Sequence, residues 1–428
     1  MRPGPSGPAR RNGILEKRSV PRFSIVIPTR NRSKLLISAL RSALEQEFED
    51  YEIVVSDNFS SDETREVVED AASRRVRYVR TDRSLAMPES WEFALSHARG
   101  EYVTVLPDDD AISSRLLATV DLVLKKRSVP LLQWTGANYF DRSWPDPARR
   151  ETLLVPTFTR RLVDLDSEGA LRALFGLRGD RFPTLANSVC SRAVLGQLLE
   201  RYGHLFYGYC PDHSGACVML SQLDSYLYLD EILSVGGATL QSSGMTGRYN
   251  REGGFAQYIR EFGSQQALTR VPLKMPLVMN ILAETLLEVR EALGGRLKAY
   301  ALDWTEYFVQ YHFELQGLER VTGGLGKERE ELEQVLKRQP EPLQQAVRAA
   351  VDDVEKRRVT LPKVIDCETL GLQDILACVR YVDSLSVSAR GLAKSMVLSA
   401  FGGRRGFRVA RQIGRLAERC GLGKPARP

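Results

Sequence analysis

The sequence predicts an α/β domain built on a mostly parallel central sheet, followed by a mainly helical C-terminal region. Three observations lead there. Short β-branched runs alternate with amphipathic helical patterns from Phe23 to Leu106. Polar residues collect where those runs end. From Leu277 the texture changes to long helical periods. Strands and helices that alternate through short loops favour parallel pairing with both faces covered.

The elements follow in order. Residues 1–20 are rich in Pro, Gly and Arg and read as a disordered basic leader. Phe23 to Ile27 is a first strand, and Pro28-Thr29-Arg30-Asn31-Arg32 is the loop beyond it. Ser33 reads as the cap of a helix whose buried face carries Leu36, Ala39, Leu40 and Ala43. Tyr51 to Val55 is a second strand ending in Ser56-Asp57-Asn58-Phe59, and Ser60-Ser61-Asp62-Glu63 reads as a capping box. Val76 to Val79 is a third strand. Pro88 suits the first turn of a helix carrying Trp91, whose expected place is the core. Gly100 to Leu106 then runs as a buried strand into Pro107-Asp108-Asp109-Asp110.

Right-handed crossovers bring Thr29–Arg32, Asp57–Asn58 and Asp108–Asp110 to one rim. Ligands of open α/β sheets bind beyond such carboxyl ends. Three adjacent acids repel one another, and a hard cation between them relieves that cost; oxygen donors suit Mg²⁺ or Mn²⁺ more than Zn²⁺. A solvated loop closing in a helix cap satisfies the same residues. Arg30 and Arg32 suit a diphosphate, or solvent alone. There is no Gly-x-Gly-x-x-Gly and no Walker-type loop, which argues against a dinucleotide fold or a phosphate-loop ATPase.

Composition sets further bounds. A chain of 428 residues with 43% apolar and 27% charged content buries a sizeable core and has room for two or three domains. No apolar run reaches about 18 residues, so no transmembrane helix is expected. The basic N-terminus has no apolar stretch behind it and is not read as a signal peptide. Cysteines at 190, 210, 217, 367, 378 and 420 fit no zinc spacing, and reduced cytoplasmic thiols are the expectation. The net charge of +6 permits contact with anionic lipid or nucleotide phosphate without requiring nucleic acid.

Three stretches together resemble family 2 glycosyltransferases of the GT-A fold: Ser24 to Asn31, Val55 to Thr64, and Ala98 to Asp110. Their order and spacing carry the resemblance, which extends over roughly 23–245 and implies a catalytic domain at 21–245. It implies an inverting, metal-dependent enzyme that moves a sugar from a nucleoside diphosphate sugar to a hydroxyl acceptor. The setting it implies is polysaccharide or glycoconjugate synthesis. By the same resemblance Pro28, Thr29, Arg30, Asp57, Asn58 and Asp108 hold the nucleotide, and Asp109 and Asp110 hold Mn²⁺ or Mg²⁺. The chain departs from the family at two places. Asn58 stands where a second Asp is usual, and Pro107 stands at the first acid of the Asp-x-Asp-Asp pattern. The rivals are a sugar-1-phosphate nucleotidyltransferase, which lacks support because no Gly-rich basic loop follows the first strand, and a non-catalytic nucleotide-sugar-binding protein.

Further on, a helix is expected at Leu117–Val123, a strand at Leu131–Trp134, a loop over Asp141–Pro156 and a helix over Leu162–Phe175. Asn187–Cys190 reads as a strand and Arg192–Leu195 as a small helix. Cys210-Pro211-Asp212-His213 resembles the family's late acidic element, which assigns Asp212 as general base; Asp212 as a plain helix cap remains open, and His213 is the alternative base. Cys210 reads as a small core residue. Leu227–Gly237 reads as a strand and hairpin closing the domain. Residues 246–276 are a linker or an acceptor lid. The helical region spans 277–420, with helices at Leu325–Leu336, Leu343–Val354 and Asp366–Val382. Acceptor recognition, dimer contact and core support are all open roles for it. Phe407–Cys420 is a basic amphipathic helix suited to peripheral contact with the inner membrane face or to a solvated surface, and 421–428 is a frayed tail.

Overall fold

The computed structural model describes residues 20–178, 182–242, 268–356 and 363–385. The basic leader, most of the expected lid, the Phe407–Cys420 helix and the tail lie outside these residues.

Strands β1 (Phe23–Thr29), β2 (Tyr51–Asp57), β3 (Val76–Arg80) and β4 (Tyr102–Val105) are parallel, in the order β3-β2-β1-β4. Side chains alternate across a strand. Ile25 and Ile27 therefore enter one core layer while Val26 enters the other. The first layer is covered by helices α1 (Ser33–Leu44), α2 (Thr64–Asp70) and α4 (Leu116–Lys126). On α1 the buried side chains Leu36, Ala39, Leu40 and Ala43 recur at helical spacing; each buried Leu contributes roughly 1.5–3 kcal/mol. The opposite layer is covered by α3 (Met87–Ser96), α5 (Ser167–Phe175), α6 (Arg192–Tyr202) and α7 (Pro211–Gln222). Trp91 on α3, expected in the core, is half-buried and packs edge-on against the buried Phe206, 5.4 Å between rings.

Beyond β4 the sheet becomes mixed. Strand β9 (Ser188–Ser191) runs antiparallel to β4 and to β6 (Leu131–Phe140). Strand β10 (Ser225–Ala238) lies parallel to β6 and also pairs with β5 (Ala111–Ile112) and β8 (Leu162–Asp166). Strand β7 (Thr152–Val155) joins β6 to β11 (Lys363–Asp366).

The helical region is continuous with this domain. Helices α8 (Val278–Leu293), α9 (Trp304–Thr322), α10 (Gly326–Lys337) and α11 (Glu341–Lys356) follow the sheet in sequence. Leu286, Tyr307, Phe308 and Leu332 belong to the same buried cluster as Val26 and Val103. Core support is thus one role of this region. The last helix among the described residues, α12 (Ile375–Leu385), packs with β11 against β6, β7 and β10. Its Asp383 accepts hydrogen bonds from Ser113 Oγ (2.6 Å) and Arg115 (3.0 Å). Two free buried thiols, Cys367 and Cys378, lie 4.0 Å apart beside it.

Several local expectations are corrected. Ser33 is the first helical residue and caps nothing; Asp62 Oδ2, brought across from the next loop, accepts its N–H at 2.8 Å. The capping box at Ser60–Glu63 is replaced by Asp62 holding Thr64. Strand β7 interrupts the loop expected over Asp141–Pro156. Residues 162–166 form β8, and the helix starts only at Ser167, where the Asp166 carboxylate accepts the Gly169 N–H at 2.6 Å. Residues 227–237 lie within one long strand rather than a hairpin. Its register slips between Leu229 and Ile232, which buries both Asp230 and Glu231. The C-terminal region is not wholly helical: 363–366 is a strand of the main sheet.

Candidate active site

The β1, β2 and β3 registers set Thr29 opposite Asp57 and Asp57 opposite Arg80, so the strand ends align on one rim. Pro28 is buried as the penultimate residue of β1, and Arg30 follows the strand end. Asp57 is fully buried. Its carboxylate accepts from Ser60 N–H (2.8 Å), from Arg80 (2.9 Å) and from the Tyr78 hydroxyl. Asn58 brackets the backbone of Leu85: Nδ2 donates to its carbonyl and Oδ1 accepts from its N–H, both at 2.8 Å. Its own N–H donates to the Thr29 carbonyl at 2.9 Å. An amide does this with one donor and one acceptor where a carboxylate cannot. The substitution seen in the sequence thus has a structural consequence: Asn58 fixes the 81–86 loop.

The acid loop hangs from β4. Leu106 N–H continues the pairing to the Val26 carbonyl (2.8 Å), and Asp110 N–H closes a turn on the Pro107 carbonyl (3.1 Å). The three carboxylates then point to different partners. Asp108 is buried and accepts from Thr29 Oγ1 (2.7 Å) and Arg32 Nη1 (2.9 Å). Arg32 also reaches the Gln241 carbonyl (2.5 Å), so it ties the first strand end to the segment after β10. Asp109 accepts from Ser242 Oγ (2.7 Å). Asp110 accepts from Gly237 N–H (2.8 Å).

Gly237 is required by this geometry. A Cβ there would sit 1.8 Å from the Asp109 carbonyl oxygen and 3.3 Å from Ile375 of α12. The end of β10 therefore presses directly on the acid loop, and α12 backs it.

Burial, with Asp109 beside it, holds the Asp108 carboxyl above its ordinary range despite Arg32. Asp110 is pushed well above it by burial and then by Asp109, with Asp108 and Asp212 adding smaller repulsions. Asp212 thus stands within electrostatic reach of the acid loop.

Asp212 lies in the first turn of α7, after Pro211. A helix N-terminus favours a carboxylate. Burial would raise its pKa, but the His213 imidazole, with Nδ1 at 3.0 Å from Oδ1, holds it below the ordinary value. Reciprocally, Asp212 raises His213 against the effect of burial. Burial first, and Asp212 second, push the neighbouring Cys210 thiol up. The turn before α7 rests on α8: Thr285 Oγ1 accepts from the N–H groups of Tyr209 (3.0 Å) and Cys210 (3.3 Å). Gly208, at φ 60°, passes so close that a Cβ would meet Thr285 Oγ1 at 2.8 Å.

Thr285, Gly237, Ser242 and Arg80 are the supporting residues that sequence reasoning missed. Nothing local marks them; each acts through a partner far away in the chain. A cavity of about 490 Å³ between α5 and residues 299–303 contains none of the rim acids.

Residues 24–175 match the family described as Glycosyl transferase family 2. A Campylobacter jejuni protein named GalNAc(5)-diNAcBac-PP-undecaprenol beta-1,3-glucosyltransferase is 38% identical over 104 residues, 24% of this chain and 34% of that protein. The succinoglycan biosynthesis protein ExoO of Rhizobium meliloti is 32% identical over 169 residues, 37% of this chain and 49% of that protein. The matched stretches thus span a third to a half of these curated relatives. The solved structure of S. aureus TarS 1-349 in complex with UDP-GlcNAc aligns with a TM-score of 0.44 at 16% identity, over 78% of this chain and 92% of that one.

Proposed function

We propose that this protein, whose residues 24–175 match the family described as Glycosyl transferase family 2, is an inverting, metal-dependent glycosyltransferase using a nucleoside diphosphate sugar and a hydroxyl acceptor. The observation that carries this reading is geometric: Asp108, Asp109 and Asp110 follow β4 beside the strand ends at Thr29 and Asp57, and Asp212, in the first turn of α7, stands within electrostatic reach of them.

In the proposed complex the nucleoside lies along Pro28, Thr29, Arg30, Asp57 and Asp108, with Asn58 keeping the adjoining loop in place. Asp109 and Asp110 would hold Mg²⁺ or Mn²⁺. Each has one oxygen engaged by Ser242 or Gly237 and a second available among the described residues. Hard oxygen donors and mutual acid repulsion fit such an ion. When bound, it would offset charge on the leaving diphosphate.

Asp212 accepts the proton of the acceptor hydroxyl as its oxygen attacks the anomeric carbon. The bond to the diphosphate breaks on the opposite face and its electron pair leaves with the phosphate, so the configuration inverts. His213 favours the ionised form of Asp212. A role in polysaccharide or glycoconjugate assembly at the cytoplasmic side of a membrane is part of the same proposal; among the described residues no helix is long and apolar enough to cross one.

Calorimetry with UDP, GDP and dTDP, each with and without Mn²⁺, tests the donor half. One nucleotide is expected to bind in a metal-dependent way. Equal or absent binding in all six mixtures would sink the reading.

A further inference from the structure

The turn that carries Asp212 contains a second donor set of different chemistry. Cys210 Sγ, a carboxylate oxygen of Asp212 and a ring nitrogen of His213 all lie within 4.8 Å of one another, and all three residues are partly exposed. Cys210 is a free thiol. His213 Nδ1 is shut off from solvent and makes no well-formed hydrogen bond, although Asp212 Oδ1 is only 3.0 Å away. The backbone under these groups is fixed. Pro211 sits between them, the Cys210 carbonyl accepts the Ser214 N–H (3.0 Å), the Cys210 N–H is held by Thr285 (3.3 Å), and the Phe182 ring packs 5.1 Å from the imidazole.

Thiolate, imidazole and carboxylate together are a zinc donor set, whereas Asp109 and Asp110 offer only hard oxygen. The 4.8 Å that bounds the separations of these three donor atoms is near the spacing of ligands held about 2.0–2.3 Å from a tetrahedral zinc. Three protein ligands leave a fourth position for water.

We propose that Cys210, Asp212 and His213 form a second, soft metal site that takes Zn²⁺, and that the bound ion inhibits transfer by withdrawing Asp212 from the acceptor. Binding releases the Cys210 thiol proton to solvent and changes no oxidation state. The inhibitory half rests on Asp212 being the base; the binding half does not.

The test uses the full chain stripped with a chelator and titrated with Co²⁺, a spectroscopic stand-in for zinc. A thiolate-to-cobalt charge-transfer band and intense tetrahedral d–d bands are expected, both displaced by Zn²⁺. Cys210→Ser should lose the charge-transfer band, and Cys367→Ser should keep it. Absence of the band in the parent chain, or its survival in Cys210→Ser, overturns the site. If Cys210→Ser does not fold, His213→Ala is read in the same way, and unchanged d–d intensity overturns the proposal.

With excess Mn²⁺ present, Zn²⁺ should inhibit transfer in the parent. Cys210→Ser should keep basal transfer and need more Zn²⁺ by at least the roughly 10–100-fold that loss of a mere supporting group costs a metal site. Unchanged zinc sensitivity in that variant overturns the inhibitory half. A Cys210-dependent cobalt band in a chain that transfers no sugar would uphold the metal site and reject the glycosyltransferase reading.

Discussion

The two acid sites of the rim are built differently. Around Asp57 and Asp108–Asp110, every carboxylate has a partner supplied by another strand or loop: Arg80 and Tyr78, Thr29 and Arg32, Ser242, and the Gly237 N–H. Asp212 has its own neighbour, His213, and its side chain is about a third exposed. The first site is held by partners from elsewhere in the chain, as its proposed donor role asks of preset groups. The second is held by its sequence neighbour and is partly open to solvent. The supports differ as well. The acid loop is pressed by β10 and α12, while the turn before Asp212 leans on α8.

Breaking the acid loop should have the largest effect. Asp109→Ala removes a proposed metal ligand, so transfer should fall by roughly 10³-fold or more, the several kcal/mol such charge stabilisation supplies. Nucleotide affinity should also lose its Mn²⁺ dependence, read by calorimetry. Persisting dependence would move the ion to Asp108 or Asp110.

Gly237→Ala is next, because its methyl must displace the Asp109 carbonyl. Overpacking of this kind costs typically ~1–3 kcal/mol. A lowered Tm together with weakened Mn²⁺-dependent binding is expected; a Tm drop with intact binding would show that α12 and β10 brace the fold but not the loop.

Asn58→Ala leaves the N–H and carbonyl of Leu85 unpaired, at about 1–3 kcal/mol. Denaturant unfolding should register that loss, and Asn58→Asp should not rescue it, since a carboxylate cannot donate to the Leu85 carbonyl. Full rescue by Asp would mean that the position works through charge.

The smallest effect belongs to the Asp212–His213 pair. The raised His213 pKa contributes stability that is fully present below about pH 6.5, the usual histidine value, and is lost as pH rises through its folded value. The lowered Asp212 pKa contributes stability present above about pH 3.9 and lost as pH falls through its folded value. The pair therefore stabilises most between those limits, by under ~1 kcal/mol because both groups are partly exposed. NMR titration of His213 should move down toward the ordinary value in Asp212→Asn; an unmoved titration would uncouple the two.

The comparison also separates what the chain declares locally from what it does not. β1, β2 and β4 are legible because β-branched runs end abruptly in polar residues, and their shared rim follows from crossover handedness. The acid loop is legible for the same reason. Strand β8 is hidden in the sequence because Leu162 and Leu165 run at helical spacing into a true helix at Ser167. Strand β7 has four residues, and part of its pairing comes from β11, more than 200 positions later. The Asp212 turn is held by Thr285 through contacts that leave no mark beside either residue. The Asn58 bracket likewise needs Leu85, which is 27 residues away.

One measurement bears most directly on the account: transfer rate and donor affinity in Asp212→Asn, at saturating Mn²⁺. The change keeps the shape and removes the basic carboxylate. Donor affinity should match the parent, while transfer falls by roughly 10²–10⁴-fold, the usual contribution of a positioned acid or base. Transfer at the parent rate would contradict the account, leaving Asp212 a helix-terminal acid and His213 the next residue to examine.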